Sequence, residues 1–419
     1  MDNQKSYITR ATTKVLECAL SDTRVVAIQG ARQTGKSTLA KKLAGDNDAR
    51  YLSLDVSSIR ESARANPADF VRQMPEGMLV IDEIQRAPDL LLEIKEVVDN
   101  SAYPGHFLIT GSSDLSKLSE VQESLAGRLE RIELMPFSQE ELLGGSSTFL
   151  IDAFTADYVP KANTATLSRT DYLELALCGG YPEARQRATK QRRDVWFDNY
   201  LRLLFEQESD DAKYSGNTED VMQFLRYLAT ISGKEVVINN ISNDTGIKHY
   251  GVQQLIEMLE KLFLIRTVPA WSTNLTNRTI KHPKVFLKDP GLLARLLHAD
   301  STTTTDLSSP LAGMLFETFV FDELIRMASA LDIQPDFYHY RDARKREVDI
   351  VIENDRGKIL LVEVKASSTV ANSDFATIRY LMEKHGDKIA RGLVVYTGTE
   401  VLPFGKQLLA LPAQLLWQK

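Results

Sequence analysis

The sequence predicts an α/β protein in three parts, and three observations predict it. The first 145 residues alternate short apolar runs with helical stretches, the middle is chiefly helical, and from Pro310 the alternation returns. A chain of 419 residues also suits about three domains at roughly 150 residues each. Hydrophobic residues make up 43% and charged residues 26%, which excludes long disorder and a fibrous repeat. The two cysteines, Cys18 and Cys178, are too few and too far apart for a disulfide scaffold or a Cys-cluster zinc site, and they fit a reducing compartment. The opening MDNQKSYITR lacks the apolar core of a signal peptide, and no apolar run approaches the roughly 18 residues of a membrane helix. A cytoplasmic location is expected. Net charge is −7, so any nucleic-acid contact must come from local patches rather than a global basic field.

In the first part (1–145) strands are expected at 25–28, 51–54, 78–81, 106–109 and 129–134, with helices at 37–44 and 89–98 among the segments between them. Strand–helix alternation at this spacing predicts a parallel sheet covered by helices on both faces. Residues 146–220 begin with a Ser/Thr/Ala-rich stretch read as a linker or loose insertion, to 169. A helical pattern follows, broken at Gly179-Gly180-Tyr181-Pro182. Residues 221–300 read as short helices leading into two strand-like runs, and 301–309 as a polar break before the last part, 301–419.

The strongest motif is Gly30-Ala31-Arg32-Gln33-Thr34-Gly35-Lys36-Ser37, followed by Thr38, a full match to G-x-x-x-x-G-K-[ST] between an expected strand and an expected helix. Gly30 and Gly35 permit the tight loop that turns backbone N–H groups onto polyphosphate oxygens at the helix N-terminus. Lys36 would reach the β- and γ-phosphates of ATP, and Ser37 would supply a hydroxyl to Mg²⁺. The apolar run 78–81, suited to a strand buried on both faces, ends in Asp82-Glu83. Asp82 would hold Mg²⁺ and Glu83 would orient and deprotonate the attacking water. Thr110 or Ser112, at the end of the fourth strand, could sense the γ-phosphate. Arg128 could stabilise transition-state charge in its own subunit or a neighbour, or could serve only as a surface ion pair.

GARQTGKSTL, YLSLD, MLVIDEIQRAPDLL, FLITGSS and SLAGRLERIEL resemble the AAA+ superfamily. With CGGYPEA, WFDNYLRLLFEQE, VFLKDPGLLARLL, LFETFVFDEL and EVDIVIENDRGKILLVEVKAS, the chain resembles the prokaryotic ATPases whose AAA domain is fused to a C-terminal domain of unknown function. Ala31 stands where that family would have proline, a departure that touches only backbone. The resemblance implies sheet order 5-1-4-3-2 and nucleoside triphosphate hydrolysis, and kinship with ring-forming proteins makes a homo-oligomer an expectation.

Between 237 and 264 a short helix, Gly246 and a longer helix with apolar positions Val252, Leu255, Ile256, Leu259 and Leu262 suit a winged helix. From Gly246 to Lys288, Lys248, Lys261, Arg266, Arg278, Lys281, Lys284 and Lys288 outnumber Glu257 and Glu260, a surplus suited to a nucleic-acid backbone or to a solvated face. Further on, Asp349 precedes a turn at 354–357, and Glu363 and Lys365 share one face of the next strand. Glu317 lies on an upstream helix. Charged groups in so apolar a setting must be paired or bind metal. The set Glu317, Asp349, Glu363, Lys365 resembles the PD-(D/E)XK nuclease fold. The resemblance implies a second Mg²⁺ or Mn²⁺ at Asp349 and Glu363, Lys365 on the hydrolytic water, and Glu317 assisting. The stretch from Tyr340 to Arg346 could meet phosphates of double-stranded or branched DNA. Two functions follow: ATP coupled to nucleic-acid binding or Mg²⁺-dependent cleavage, or a regulatory ATPase whose nuclease-like end binds a partner without cutting.

Overall fold

The structure is a computed structural model describing residues 7–47, 49–101, 103–112, 125–155, 157–160, 164–210, 218–274, 276, 278, 281–305 and 309–418. The chain separates into two compact units. One is Met1–Phe137 with Lys261–Phe263 and Ser329–Asp332; the other is Ser138–Glu260, Leu264–Ala328 and Ile333–Lys419.

The first unit holds a five-stranded parallel sheet: β1 (Val25–Gln29), β2 (Ala49–Ser53), β3 (Met78–Asp82), β4 (Phe107–Gly111) and β5 (Leu129–Glu133). Its order is β2-β3-β4-β1-β5, as the resemblance implied. The continuous apolar runs explain the centre: every residue of β3 and β4 is buried, whereas the edge strands β2 and β5 each bury only one, Leu52 and Ile132. Val25, Ala27, Leu79, Ile81 and Ile109 face one layer, packed on Leu90, Leu91, Ile94 and Val98 of the helix Leu90–Asn100. Val26, Ile28, Val80 and Leu108 face the other, against Val15, Leu16 and Ala19 of Thr13–Asp22 (α1) and Leu39, Ala40 and Leu43 of Lys36–Asp46 (α2). Helices thus cover both faces, and all five strands end on one edge. In open parallel sheets that carboxyl edge is where ligands bind.

In the second unit a six-stranded mixed sheet contains β9 (Asp336–Arg341), β10 (Glu347–Glu353), β11 (Ile359–Lys365), β12 (Ile389–Tyr396), β13 (Leu402–Gly405) and β14 (Leu408–Pro412), in the order β13-β14-β12-β11-β10-β9. Strands β9, β10 and β11 form an antiparallel meander, and β12 runs parallel to β11. The β10–β11 turn is built by Asn354, whose side chain accepts from Arg356 N and Lys358 N at 3.1 and 2.9 Å, and by Gly357 at φ +69°. The parallel crossover carries the helix Ala376–His385, whose Ile378 and Leu381 are buried against the sheet. The helix Pro310–Ala328, apolar almost all round, is buried along most of its length. A smaller antiparallel sheet, β6 (Lys234–Glu235), β7 (Ile265–Val268) and β8 (Lys284–Leu287), has β8 at its centre. In the chain β6 precedes, and β7 and β8 follow, the helices Ile238–Thr245 and His249–Lys261, the first stopped by Gly246 at φ +73°.

The stretch expected to be a loose linker is tied down. Leu416 O accepts from Ser147 Oγ at 2.6 Å, Thr164 bridges Glu400, and Gln414 Oε1 accepts from Thr166 N and Leu167 N. The Gly179-Gly180 break has a packing cause. A Cβ on Gly179 would lie 2.3 Å from Asp289 Oδ1, and Gly180 N donates to Asp289 Oδ2 at 2.7 Å. Asp289 also caps the helix Pro290–Leu296. Beside it Arg326 pairs with Asp289, Asp322 and Glu323, all buried.

Candidate functional site

The phosphate loop lies at the carboxyl edge, between β1 and α2. Gly30 sits at φ +147°, and a Cβ there would stand 2.4 Å from Leu134 O; Gly35, at φ +100°, turns the chain into α2. Gln33 is also left-handed, at φ +62°. The Lys36 ammonium donates to Gly30 O at 2.9 Å and Ala31 O at 2.7 Å, and burial pushes its pKa down to about 8. Arg10, from ahead of α1, clamps the loop: it donates to Thr34 O at 2.8 Å and Met135 O at 2.5 Å and stacks on Phe137. Thr34 Oγ1 donates to Ala31 O at 3.0 Å, Arg32 is half-buried, and Gln33 and Thr38 are exposed.

Two strands along, the buried Asp82 carboxylate gathers four hydroxyls. Ser37 Oγ and Thr110 Oγ1 donate to Oδ1 at 2.8 and 2.6 Å; Tyr51 OH and Ser53 Oγ donate to Oδ2 at 2.7 and 3.1 Å. The proximity of Ser37 to Asp82 is what a shared Mg²⁺ requires. Glu83 adopts the left-handed conformation (φ 60°, ψ 48°), strain of the kind found at functional sites. Its N–H donates to Thr110 Oγ1 at 3.0 Å. Gln85 Nε2 bridges the Glu83 carboxylate and Ser112 Oγ, the latter at 2.9 Å. Ser112 therefore meets Glu83 through an amide rather than directly.

Arg128 stands elsewhere. Its carbonyl accepts from Val25 N at 3.2 Å, so it lies beside the start of β1, about five residues or 16 Å of strand from the loop. It pairs with Asp99. Of the readings open to Arg128, the ion pair is the one its own chain supplies, at the end of β1 away from the loop.

A second acidic centre forms in the second unit. Val364 N donates to Asp349 Oδ2 at 2.8 Å, and Lys365 pairs with Glu363 at 2.8 Å. Lys284, 1% exposed, places its ammonium 2.8 Å from Glu347, 3.2 Å from Glu317 and 3.6 Å from Asp349. Burial, then the charge of Asp349, push Glu317 up to about 8 and Glu363 up to about 7. Burial alone would lower the Lys284 pKa, but the surrounding carboxylates raise it on balance, so it stays protonated. Among the described residues no group of three or more His, Cys, Asp or Glu side chains could hold a metal ion. The expected second metal at Asp349 and Glu363 is thus not supported, because the neighbouring acids converge on an internal ammonium.

The expected basic surface is also depleted. Lys284 is buried, Arg278 pairs with Glu353 at 2.8 Å, and Lys281 donates to Arg341 O at 3.2 Å. Of the 340–346 stretch, Arg341 pairs with Glu235 and Arg346 with Asp342, which leaves Arg344 and Lys345 as its exposed cations. Sequence reasoning missed Arg10, Tyr51, Ser53, Gln85, Lys284 and Glu347. Lysine within the wholly buried run Lys284-Val285-Phe286-Leu287 was the one local signal of a buried cation. No helix among the described residues is long and apolar enough to cross a membrane.

Residues 22–143 match the family model of an AAA domain. Residues 169–303 and 312–416 match two domains of unknown function, DUF8612 and DUF4143. Uncharacterised proteins of Mycobacterium bovis and Mycobacterium tuberculosis are each 27% identical over 399 residues, which is 95% of this chain and 82% of theirs. Among solved structures, the Walker-type ATPase of Pyrococcus abyssi aligns with a TM-score of 0.44 and 14% identity, over 70% of this chain and 97% of that one. AMPPCP-bound DnaA from Aquifex aeolicus aligns with a TM-score of 0.26 and 14% identity, over 59% and 85%. The phosphate loop, Asp82 and Glu83 all fall inside the match to the AAA domain.

Proposed function

We propose that the chain hydrolyses ATP with Mg²⁺. The observation that carries this is the Ser37 hydroxyl 2.8 Å from Asp82, beside Glu83 and behind a complete phosphate loop. Hydroxyl and carboxylate oxygens are hard donors, the set Mg²⁺ prefers. Ser37 and Asp82 would hold it, and when bound the ion neutralises charge on the β- and γ-phosphates. The backbone N–H groups from Gly30 to Gly35 and on to Lys36, Ser37 and Thr38 cradle the phosphates. Lys36 exchanges its loop carbonyls for phosphate oxygens. Glu83 orients and deprotonates water, its backbone held by Thr110 and its carboxylate by Gln85. Arg128 acts, if on phosphate at all, on that of a neighbouring subunit in a homo-oligomer.

Binding by calorimetry and phosphate release test the reading. Lys36→Ala is expected to lose both, and Glu83→Gln to bind ATP without turnover. Persisting turnover in Glu83→Gln removes Glu83 as the base. Absence of Mg²⁺-dependent affinity for any purine nucleotide sinks the proposal as a whole.

For the second unit we read a winged-helix-like segment from the two helices around Gly246 and the three-stranded sheet. We read a PD-(D/E)XK-like fold from the β10–β11 hairpin, the crossover to β12 and the helix bearing Glu317. Lys284 among the acids favours a regulatory ATPase whose C-terminal domain binds a partner, nucleic acid or protein, without cutting. Metal-dependent cleavage of supercoiled, linear or branched DNA by the wild type, lost in Asp349→Ala and Lys365→Ala, would restore the nuclease reading.

A further inference from the structure

Lys284 sits on the central strand of the small sheet, where its neighbour Val285 is paired with Lys234 on one side and Thr267 on the other. Its backbone is therefore fixed, and its side chain is 1% exposed. The ammonium meets carboxylates from two separate elements: Glu317 on the helix Pro310–Ala328, and Glu347 and Asp349 on β10. Gly233 packs against the same carboxylate, since a Cβ there would stand 3.0 Å from Glu317 Oε2. His339 Nε2 contacts His282 O at 3.1 Å, and burial pushes its pKa down to about 4, so it adds no charge. Lys365 holds Glu363 from the next strand.

Burying an ammonium is unfavourable unless opposite charge surrounds it, and burying several carboxylates together is unfavourable without a cation. Each half of this cluster answers the other. Acids on neighbouring strands and a helix ordinarily converge on a divalent cation, whose oxygens lie at about 2.0–2.1 Å for Mg²⁺. Here the centre of convergence is a nitrogen with longer contacts and a single charge.

We propose that the Lys284 ammonium takes the cation position of this acid cluster and keeps Mg²⁺ and Mn²⁺ out of it. The inference rests on the PD-(D/E)XK-like reading for the identity of the excluded ions. Lys284 lies in the segment matching one family model and the acids Glu317, Glu347 and Asp349 in the segment matching another, so the contact also locks those two segments together.

Mn²⁺ binding to the nucleotide-free full chain, read by electron paramagnetic resonance, tests it. Wild type is expected to show no Mn²⁺ that Asp349→Asn removes. Lys284→Met, checked for folding by circular dichroism, is expected to gain one Mn²⁺ per chain, lost again in Lys284→Met/Asp349→Asn. An Asp349-dependent Mn²⁺ already present in wild type overturns the proposal, and so does a folded Lys284→Met that binds none. If Lys284→Met does not fold, the wild-type measurement decides by itself. Cleavage by the Mn²⁺-loaded variant is assayed separately: binding reports on exclusion, and cleavage reports on the fold-level reading beneath it.

Discussion

Replacing Gly30 by alanine adds one methyl group where the structure has no room for it. The new Cβ would lie 2.4 Å from Leu134 O and 3.2 Å from Leu134 C, both backbone atoms. Leu134 cannot withdraw freely, because its N–H donates to Gln29 O at 2.7 Å and its side chain is fully buried. The φ of +147° adds strain of about 1–3 kcal/mol for any L side chain. Overpacking adds about 1–3 kcal/mol more. The phosphate-binding conformation should therefore lose about 2–6 kcal/mol, roughly a 30-fold to 10⁴-fold loss of ATP affinity. Calorimetric titration with Mg²⁺–ATP measures it. Gly45→Ala is the matched control: it lies exposed in the last turn of α2 with nothing within 4 Å of an added Cβ. Alanine there should stabilise the chain by about 0.5–1 kcal/mol and leave affinity unchanged. Gly30→Ala binding within threefold of wild type would refute the steric argument.

Thr110→Val keeps shape but removes the hydroxyl that donates to Asp82 and accepts from Glu83 N. It should cost about 1.5–3 kcal/mol and lower kcat more than ATP affinity, and an unchanged kcat counts against Thr110 as the support of Glu83. Arg128→Ala should cost only about 0.2–1 kcal/mol through the lost Asp99 pair. Turnover of dilute monomer should match wild type; a lower value would place Arg128 at its own phosphates. Burial, against the pull of Arg326, pushes Asp322 up to about 8 and Glu323 up to about 7. Both folded-state values exceed the unfolded ones. The stability they contribute is complete below the unfolded carboxylate values, about 4, and is lost progressively as pH rises from there to about 7 to 8. Asp322→Asn should flatten the fall in stability between pH 5 and 8 by up to about 1.4 kcal/mol per pH unit. Denaturant midpoints for both proteins check this, and parallel slopes would refute it.

How far the chain could be read locally depended on the range of the interaction. Strands β1, β3 and β4 were legible because a strand buried on both faces must be apolar throughout. The phosphate loop was legible because phosphate binding needs its glycines, Lys36 and Ser37 at fixed short spacing. Gln85 lay two residues past Glu83, yet its role needed Ser112 from another strand. Tyr51 and Ser53 reach Asp82 only because the sheet order sets β2 beside β3. Arg10 reaches Thr34 across 24 positions and Met135 across 125, beyond any local pattern. Lys284 shows the limit most sharply: counted along the chain it was one more surface cation, and in the fold it is the centre of an acid cluster.

What the linear order of residues determined by itself was the nucleotide chemistry, since a loop that grips phosphate is a local object and carries its requirements in consecutive positions. What only the tertiary structure decided was the fate of the isolated charges: Arg128 at the wrong end of the sheet, Arg278 and Arg346 in ion pairs, and Lys284 buried. A charge acts through the few ångströms around it, and which opposite charge stands there is settled by how distant segments pack.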